Sequence, residues 1–237
     1  MRNDRTPQTV LGTLVDRAVC MPYAKPQVLR HGFRRHRDED TGKWRSVAPI
    51  SEDAAAAAAF LVTILTESSA NSRWSKAELA LDPGGPWWAK PRDDFFKLDN
   101  DARKWVLDRL EDTAVRAAEC LENEAVDRGW AWLWSQPPLA SPGKVRPSIT
   151  QPDLIGGLDW KRCDVIDLKT TGKDDLRSAA KSGQTQVFGS WVASLRRMGF
   201  TPDRCSVLVV STTDHRYDWI GFPVTDATAG PALLTTS

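Results

Sequence analysis

The apolar residues of the chain follow a helical period in its first half and a strand period in its second half. Six consecutive alanines within Ala54–Glu67 predict a helix, and apolar residues recur every three or four positions across Asp99–Asp127, which predicts a longer one. Trp130–Trp134 alternates tryptophan with other residues, and Cys205–Ser211 is a continuous apolar run, so both predict strands. A final strand is predicted over Tyr217–Val224, after a turn. The pattern indicates an α/β fold with a helical N-terminal part and a central mixed β-sheet flanked by helices.

Two neighbouring apolar segments carry charged residues at related positions. Successive side chains of a strand point to opposite faces, so Asp167 and Lys169 share one face while their aliphatic neighbours face a core. Asp153 lies 14 residues before Asp167, and Gly156-Gly157 stands between them. This spacing allows a strand, a hairpin turn and a return strand, whose pairing would place Asp153 beside Asp167.

The predicted pair of carboxylates favours a bound cation, because two adjacent anions repel each other unless a positive charge lies between them. Hard oxygen ligands favour Mg²⁺ or Mn²⁺ over zinc. Such an ion polarises a phosphate oxygen and acidifies a bound water. Lys169 then has two candidate roles: an ammonium that orients water or neutralises charge, or a base if burial lowers its pKa.

These residues resemble the motif of the PD-(D/E)XK nuclease superfamily, with Pro152-Asp153 followed by Asp167-Leu168-Lys169. Gln184–Phe188 is similar to the Gln-x-x-x-Tyr helix of the RecB-like exonuclease branch, with Phe188 in place of the tyrosine. The resemblance implies a restriction-endonuclease-like core. It also implies Asp153, Asp167, Lys169 and Gln184 as catalytic residues, and Asp153, Asp167 and the Leu168 carbonyl as metal ligands.

Relatives of this kind take a further acidic ligand from a helix before the first aspartate, which points to the segment Asp99–Asp127. At 100° per residue, Glu124 falls on the apolar stripe of that helix, and a carboxylate directed at a core needs a partner such as a metal ion. Glu124 is therefore the expected third ligand. Glu119 and Glu122 remain alternatives.

The charge distribution suggests where nucleic acid would be held. The net charge is only +1, but residues 1–50 carry ten Lys and Arg residues against five Asp and Glu residues. We expect a basic N-terminal arm over residues 1–50, a helical part over 51–98 and the nuclease core over 99–237. Near the predicted cleft, Lys173, Arg177 and Lys181 are candidates for contacts to phosphates.

The four cysteines are dispersed and form no Cys-x-x-Cys pair, so neither zinc nor an iron–sulfur cluster is expected. No apolar run has the length of a membrane span, and a cytoplasmic location without membrane association is expected.

The sequence thus predicts a Mg²⁺-dependent nuclease (Mn²⁺ being the other candidate ion) that hydrolyses single- or double-stranded DNA in recombination, repair or defence. A helicase or another DNA-processing protein is a candidate partner. Two alternatives remain: an inactive DNA-binding module of the same fold, and a structural or interaction protein in which the motif is a chance edge strand. Endonuclease and exonuclease action are both open.

Overall fold

The structure is a computed structural model that describes residues 6–30, 33–37, 44–68, 73–81, 86–137, 139–140, 149–180 and 184–224. The helices are α1 (Pro7–Cys20), α2 (Ile50–Glu67), α3 (Lys76–Leu81), α4 (Pro86–Phe96), α5 (Asn100–Arg128) and α6 (Gln184–Arg197). The strands are β1 (Gln27–Arg30), β2 (Phe33–Arg37), β3 (Trp44–Pro49), β4 (Trp132–Ser135), β5 (Leu139–Ala140), β6 (Ile149–Thr150), β7 (Leu154–Gly157), β8 (Arg162–Thr171), β9 (Thr201–Ser211) and β10 (Tyr217–Phe222).

Six strands form a central mixed sheet in the order β10-β9-β8-β7-β4-β1. Strands β8 and β9 run parallel, and the other neighbouring pairs of these six are antiparallel. Strands β2 and β3 extend the sheet beyond β1, and β5 pairs separately with β6. The predicted α/β fold, with a mixed sheet flanked by helices and a helical N-terminal part, is confirmed.

Helices cover both faces of the sheet. On one face, α1, α2, α4 and α5 bury Ile166 and Leu168 of β8 together with Leu208 of β9. On the other face, α6 packs against Val165 of β8 and Val207 of β9. Burial on both sides is typical of parallel strands, and it places β8 at the centre of the molecule.

The long helix α5 has a clear start and end. The carboxylate of Asp99 accepts a hydrogen bond from the backbone N–H of Ala102 at 2.8 Å, and Gly129 ends the helix in a left-handed conformation with a φ of 69°. The helices predicted from periodicity over Asp99–Asp127 and Ala54–Glu67 are confirmed as α5 and α2.

Tryptophan packing explains the glycine pair of β7. A Cβ atom on Gly156 would collide with the indole of Trp130, and a Cβ atom on Gly157 would collide with the indole of Trp132. Only glycine lets these rings lie flat against the strand. The pair therefore fixes how β4 and β7 meet, directly before the hairpin that carries the motif.

Residues 1–50, which we expected as a basic arm, contain α1 and β1–β3 in their described part. Helix α1 begins after Thr6, whose side chain caps the backbone N–H of Thr9, and seven of its residues are buried. This helix is part of the core and packs against α5, α2 and β8. Within the described residues, no helix combines the length and apolar character needed to cross a membrane.

Candidate active site

The β7–β8 hairpin places the two motif aspartates side by side. Leu154 pairs with Ile166 in an antiparallel register, so the next position outward sets Asp153 opposite Asp167. Residues opposite each other in an antiparallel pair project from the same face of the sheet. The predicted hairpin and its register are confirmed.

Asp167 and Lys169 form an ion pair at the end of β8. The Lys169 Nζ lies 2.8 Å from the Asp167 Oδ2, and Asp167 is only 4% exposed. Among the described residues, no hydrogen bond of regular geometry reaches this buried carboxylate oxygen. Burial alone would lower the pKa of Lys169, but Asp167, Asp153 and Asp16 outweigh burial and raise it. Lys169 is therefore an ammonium at neutral pH in this arrangement, which favours its predicted role as a cation over that of a base.

Asp153 is tied to the same strand by its side chain. The backbone N–H of Leu168 donates to the Asp153 Oδ2 at 2.7 Å. Burial, and next the negative charges of Asp16 and Asp167, raise the pKa of Asp153 well above its usual value. Asp16 is thus a third acidic side chain close to Asp153 and Asp167.

Asp16 belongs to α1, and reasoning from the sequence missed it. Thr9, Gly12, Thr13 and Asp16 form a polar stripe at spacings of three, four and seven along the helix. A Cβ atom on Gly12 would collide with the Thr170 side chain, so glycine lets α1 approach β8 closely. Burial raises the pKa of Asp16, which Arg17 and a hydrogen bond from Cys20 partly offset and Asp167 reinforces.

Asp16, Asp153 and Lys169 line a cleft of about 660 Å³ between α1 and the end of β8. One wall is the polar stripe of α1, and the other is the backbone of residues 168–173. The wall of α1 offers hydroxyl and amide groups, and Lys173 stands exposed at the mouth. The lining residues are Thr6, Gln8, Thr9, Gly12, Thr13, Asp16, Asp153, Leu168, Lys169, Thr170, Thr171, Gly172 and Lys173.

The structure does not bring Glu124, the expected third ligand, to this cleft. Glu124 does lie on the inner side of α5, but its carboxylate accepts a hydrogen bond from the Arg204 guanidinium of β9 at 2.5 Å. Glu122 instead accepts hydrogen bonds from the backbone and hydroxyl of Ser51 at the start of α2, and Glu119 is exposed. The acidic side chain that joins Asp153 and Asp167 comes from α1, because α1 crosses the end of β8 and brings Asp16 there.

The glutamine helix is present, but Gln184 does not line the cleft. Gln184 is the first residue of α6 and is partly buried. Phe188, at the position of the family's tyrosine, is fully buried and contacts the rings of Trp191 and Phe222. The aromatic residue thus belongs to the core under α6.

The three basic residues expected near phosphates have different surroundings. Lys173 lines the cleft, as described above. Arg177 lies on the neighbouring surface, where its Nε is 2.9 Å from the Asp218 carboxylate, and this contact raises the pKa of the guanidinium. Lys181 lies outside the described residues.

The donor set fits a hard divalent cation. It offers carboxylates from Asp16, Asp153 and Asp167, and the Leu168 backbone lies beside them. Within the described residues, however, no three His, Cys, Asp or Glu side chains are arranged closely enough to hold a metal ion as they stand. A cation would have to draw the three carboxylates together.

No family model matches the chain, and no significant match to it is found among curated proteins or solved structures. The resemblance to the PD-(D/E)XK superfamily therefore rests on the motif residues and on their geometry at the end of β8.

Proposed function

We propose that the chain is a divalent-metal-dependent nuclease that hydrolyses DNA phosphodiester bonds on a restriction-endonuclease-like core. One observation carries the proposal: Asp16, Asp153 and Lys169 line one cleft, and Lys169 pairs there with the buried carboxylate of Asp167. A cluster of buried like charges is unfavourable for stability, and such clusters are typical of functional sites.

Each residue has a role in this proposal. Asp16, Asp153, Asp167 and the Leu168 carbonyl would hold Mg²⁺ or Mn²⁺, which supplies a polarised phosphate oxygen and a more acidic bound water. The Lys169 ammonium donates hydrogen bonds to the phosphate oxygens and neutralises the negative charge that develops on them. Its pairing with Asp167 orients the side chain toward the carboxylates before substrate arrives.

The cleft also supports a nucleic acid as the substrate. Thr9 and Thr13 offer hydroxyl donors along α1, and Lys173 adds a positive charge at the mouth. Neutral donors and single lysines bind phosphates without a large basic surface, which agrees with a net charge of only +1. DNA as the substrate, a place in recombination, repair or defence, and a helicase as partner belong to the proposal through the family resemblance.

The test compares cutting of linear and circular, single- and double-stranded DNA in Mg²⁺ or Mn²⁺. We expect metal-dependent cutting that Lys169→Ala abolishes and Lys161→Ala preserves, because Lys161 is exposed in the β7–β8 turn, away from the cleft. Direct Mn²⁺ binding is measured by calorimetry in the same samples.

The other outcomes identify the alternatives. Mn²⁺ and DNA binding without cutting would show an inactive DNA-binding module. A chain that binds neither Mn²⁺ nor DNA would show that the motif is a chance feature of β8, and would reject the proposed function.

A further inference from the structure

Gln136, the residue that follows β4, adopts an uncommon backbone conformation. Its φ is 45°, and within the described residues it alone among non-glycine residues has a positive φ. A side chain with a Cβ atom disfavours this region, so the surrounding structure must hold the residue there. Its backbone N–H donates to the Asp153 carbonyl at 3.0 Å, which fixes Gln136 beside the first motif aspartate.

The side-chain amide of Gln136 bridges two adjacent residues of α1. The Nε2 donates to the Asp16 Oδ2 at 3.3 Å, and the Oε1 accepts a hydrogen bond from the Arg17 guanidinium. A carboxylate only accepts and a guanidinium only donates, so a single orientation of the amide satisfies both. Gln136 thus connects the strand that carries Asp153 to the helix that carries Asp16.

The bridge keeps Asp16 available to the cleft. The Asp16 Oδ1 accepts a hydrogen bond from the Cys20 Sγ at 3.3 Å, so each oxygen has one neutral donor behind it. The amide oxygen of Gln136 accepts a hydrogen bond from the Arg17 guanidinium, which anchors the amide beside Asp16. Without the amide, the Asp16 Oδ2 loses its hydrogen-bond donor, and we expect the carboxylate to turn more freely and to bind a metal ion less tightly.

We propose that Gln136 is a positioning residue for Asp16, held in its left-handed conformation so that its amide fixes the orientation of the Asp16 carboxylate. The inference rests on the proposed function, since it assigns a purpose to the orientation of a metal ligand. Partners of metal ligands orient them in this way, and their loss weakens metal affinity about 10- to 100-fold.

Gln136→Gly is the main test, because glycine accepts the positive φ without strain while the substitution removes the side chain and its amide. We expect the Mn²⁺ dissociation constant, measured by calorimetry, to rise about 10-fold or more, with little change in melting temperature. The Mn²⁺ concentration for half-maximal cutting should rise in parallel, while the rate at saturating Mn²⁺ stays near that of the wild type. A purely structural role would lower the melting temperature and leave Mn²⁺ binding of the folded protein unchanged.

Gln136→Asn is the second variant, because asparagine tolerates this conformation while its shorter amide cannot span both partners. Gln151→Asn is the matched control, since Gln151 is exposed and borders the same neighbouring cavity as Gln136. If Gln136→Gly or Gln136→Asn folds and binds Mn²⁺ within twofold of the wild type, the inference is wrong while the proposed function stands. If the wild-type protein itself binds no Mn²⁺, both fall.

Discussion

Asp164 and Asp167 lie three residues apart on β8, on opposite faces of the sheet, and are only 2% and 4% exposed. Asp164 has a complete set of partners: the Arg128 guanidinium donates to both of its oxygens at 2.9 and 3.0 Å, and the Trp130 indole N–H donates at 2.8 Å. Asp167 has one ion pair with Lys169, and its Oδ2 lacks a regular hydrogen bond.

The difference separates a carboxylate whose charge is neutralised within the fold from one that the proposed nuclease would use to hold a metal ion. The partners of Asp164 join the end of α5 to β4 and β8, so its charge is compensated within the fold. Asp167 instead faces two further carboxylates, and the Lys169 ammonium and the Leu168 N–H offset their repulsion only in part. In the proposed nuclease, two residues of the same type, at similar burial on the same strand, therefore have different roles: Asp164 contributes to stability and Asp167 to metal binding.

Replacing each aspartate by asparagine should change a different property of the protein: the cutting rate for Asp167 and the stability for Asp164. We expect Asp167→Asn to lower the DNA cutting rate about 100-fold or more, because it removes a metal ligand. We expect Asp164→Asn to reduce the free energy of unfolding by about 3 kcal/mol. The asparagine would place an NH₂ group against the N–H donors of Arg128 and Trp130 and leave a buried charge without its partner. Cutting rates and urea unfolding of both variants measure these effects.

The control is the free energy of unfolding of Asp167→Asn, which should stay within about 1 kcal/mol of the wild-type value. The Lys169 side chain is 40% exposed, so water can hydrate its ammonium when the carboxylate is lost. A large loss of stability in this variant would assign Asp167 to the same structural class as Asp164.

The acidic cleft should also make the metal-free protein less stable as the pH rises above about 4, the ordinary pKa of an aspartate. Asp16 and Asp153 have raised pKa values, so above that pH the folded state binds protons that the unfolded state has released, and stability falls as the pH rises toward the raised values. Each pKa unit corresponds to about 1.4 kcal/mol. Urea unfolding at several pH values measures the slope, and saturating Mg²⁺ should remove it.

Other groups with shifted pKa values do not change the stability over this pH range. Asp159 and Asp214 have pKa values lowered to about 2, so their contribution is lost only in acid. Lys169 has a raised pKa, so its contribution persists until the pH passes its ordinary value of about 10.4. Asp153→Asn should reduce the slope, and an unchanged slope would show that repulsion in the cleft is weak.

The smallest effect is expected for Glu124. Its ion pair with Arg204 resembles the pair of Asp164 with Arg128 but is more exposed. Glu124→Gln should reduce the free energy of unfolding by about 1 kcal/mol or less, since the carboxylate and guanidinium are 15% and 36% exposed. Cutting should be unchanged, whereas Asp16→Asn should abolish it. Loss of cutting in Glu124→Gln would return α5 to the role of ligand donor.

The sequence was sufficient to predict the β7–β8 hairpin and the long helices. Alternating apolar residues define the faces of β8, and Gly156-Gly157 marks the approach to the turn. These signals are local, since they depend on side-chain period and chain reversal alone. The pairing of Asp153 with Asp167 follows from them, so half of the candidate site could be found before the structure.

The other half depended on contacts distant in sequence. Helix α1 has its own signals, a Thr6-Pro7 start and buried pairs such as Val10-Leu11 and Leu14-Val15, but the basic composition of residues 1–50 suggested an arm. Helical spacing placed Glu124 on the inner face of α5 and could not show that Arg204 of β9 lies opposite. The periodicity of a helix or strand determines the direction of a side chain, and tertiary packing determines which residues that side chain contacts.

The origin of the acidic residues has a consequence for the order of folding. The Cys20 Sγ of α1 lies 3.4 Å from the carbonyl oxygen of Asp153, a contact that spans 133 residues of chain. During synthesis α1 leaves the ribosome first, and β8 follows only after all of α5 has been made. A nascent chain therefore carries Asp16 long before the hairpin exists to meet it. If the chain is the nuclease proposed above, it acquires cutting activity late, once its core has closed, and nucleic acids near the ribosome are spared.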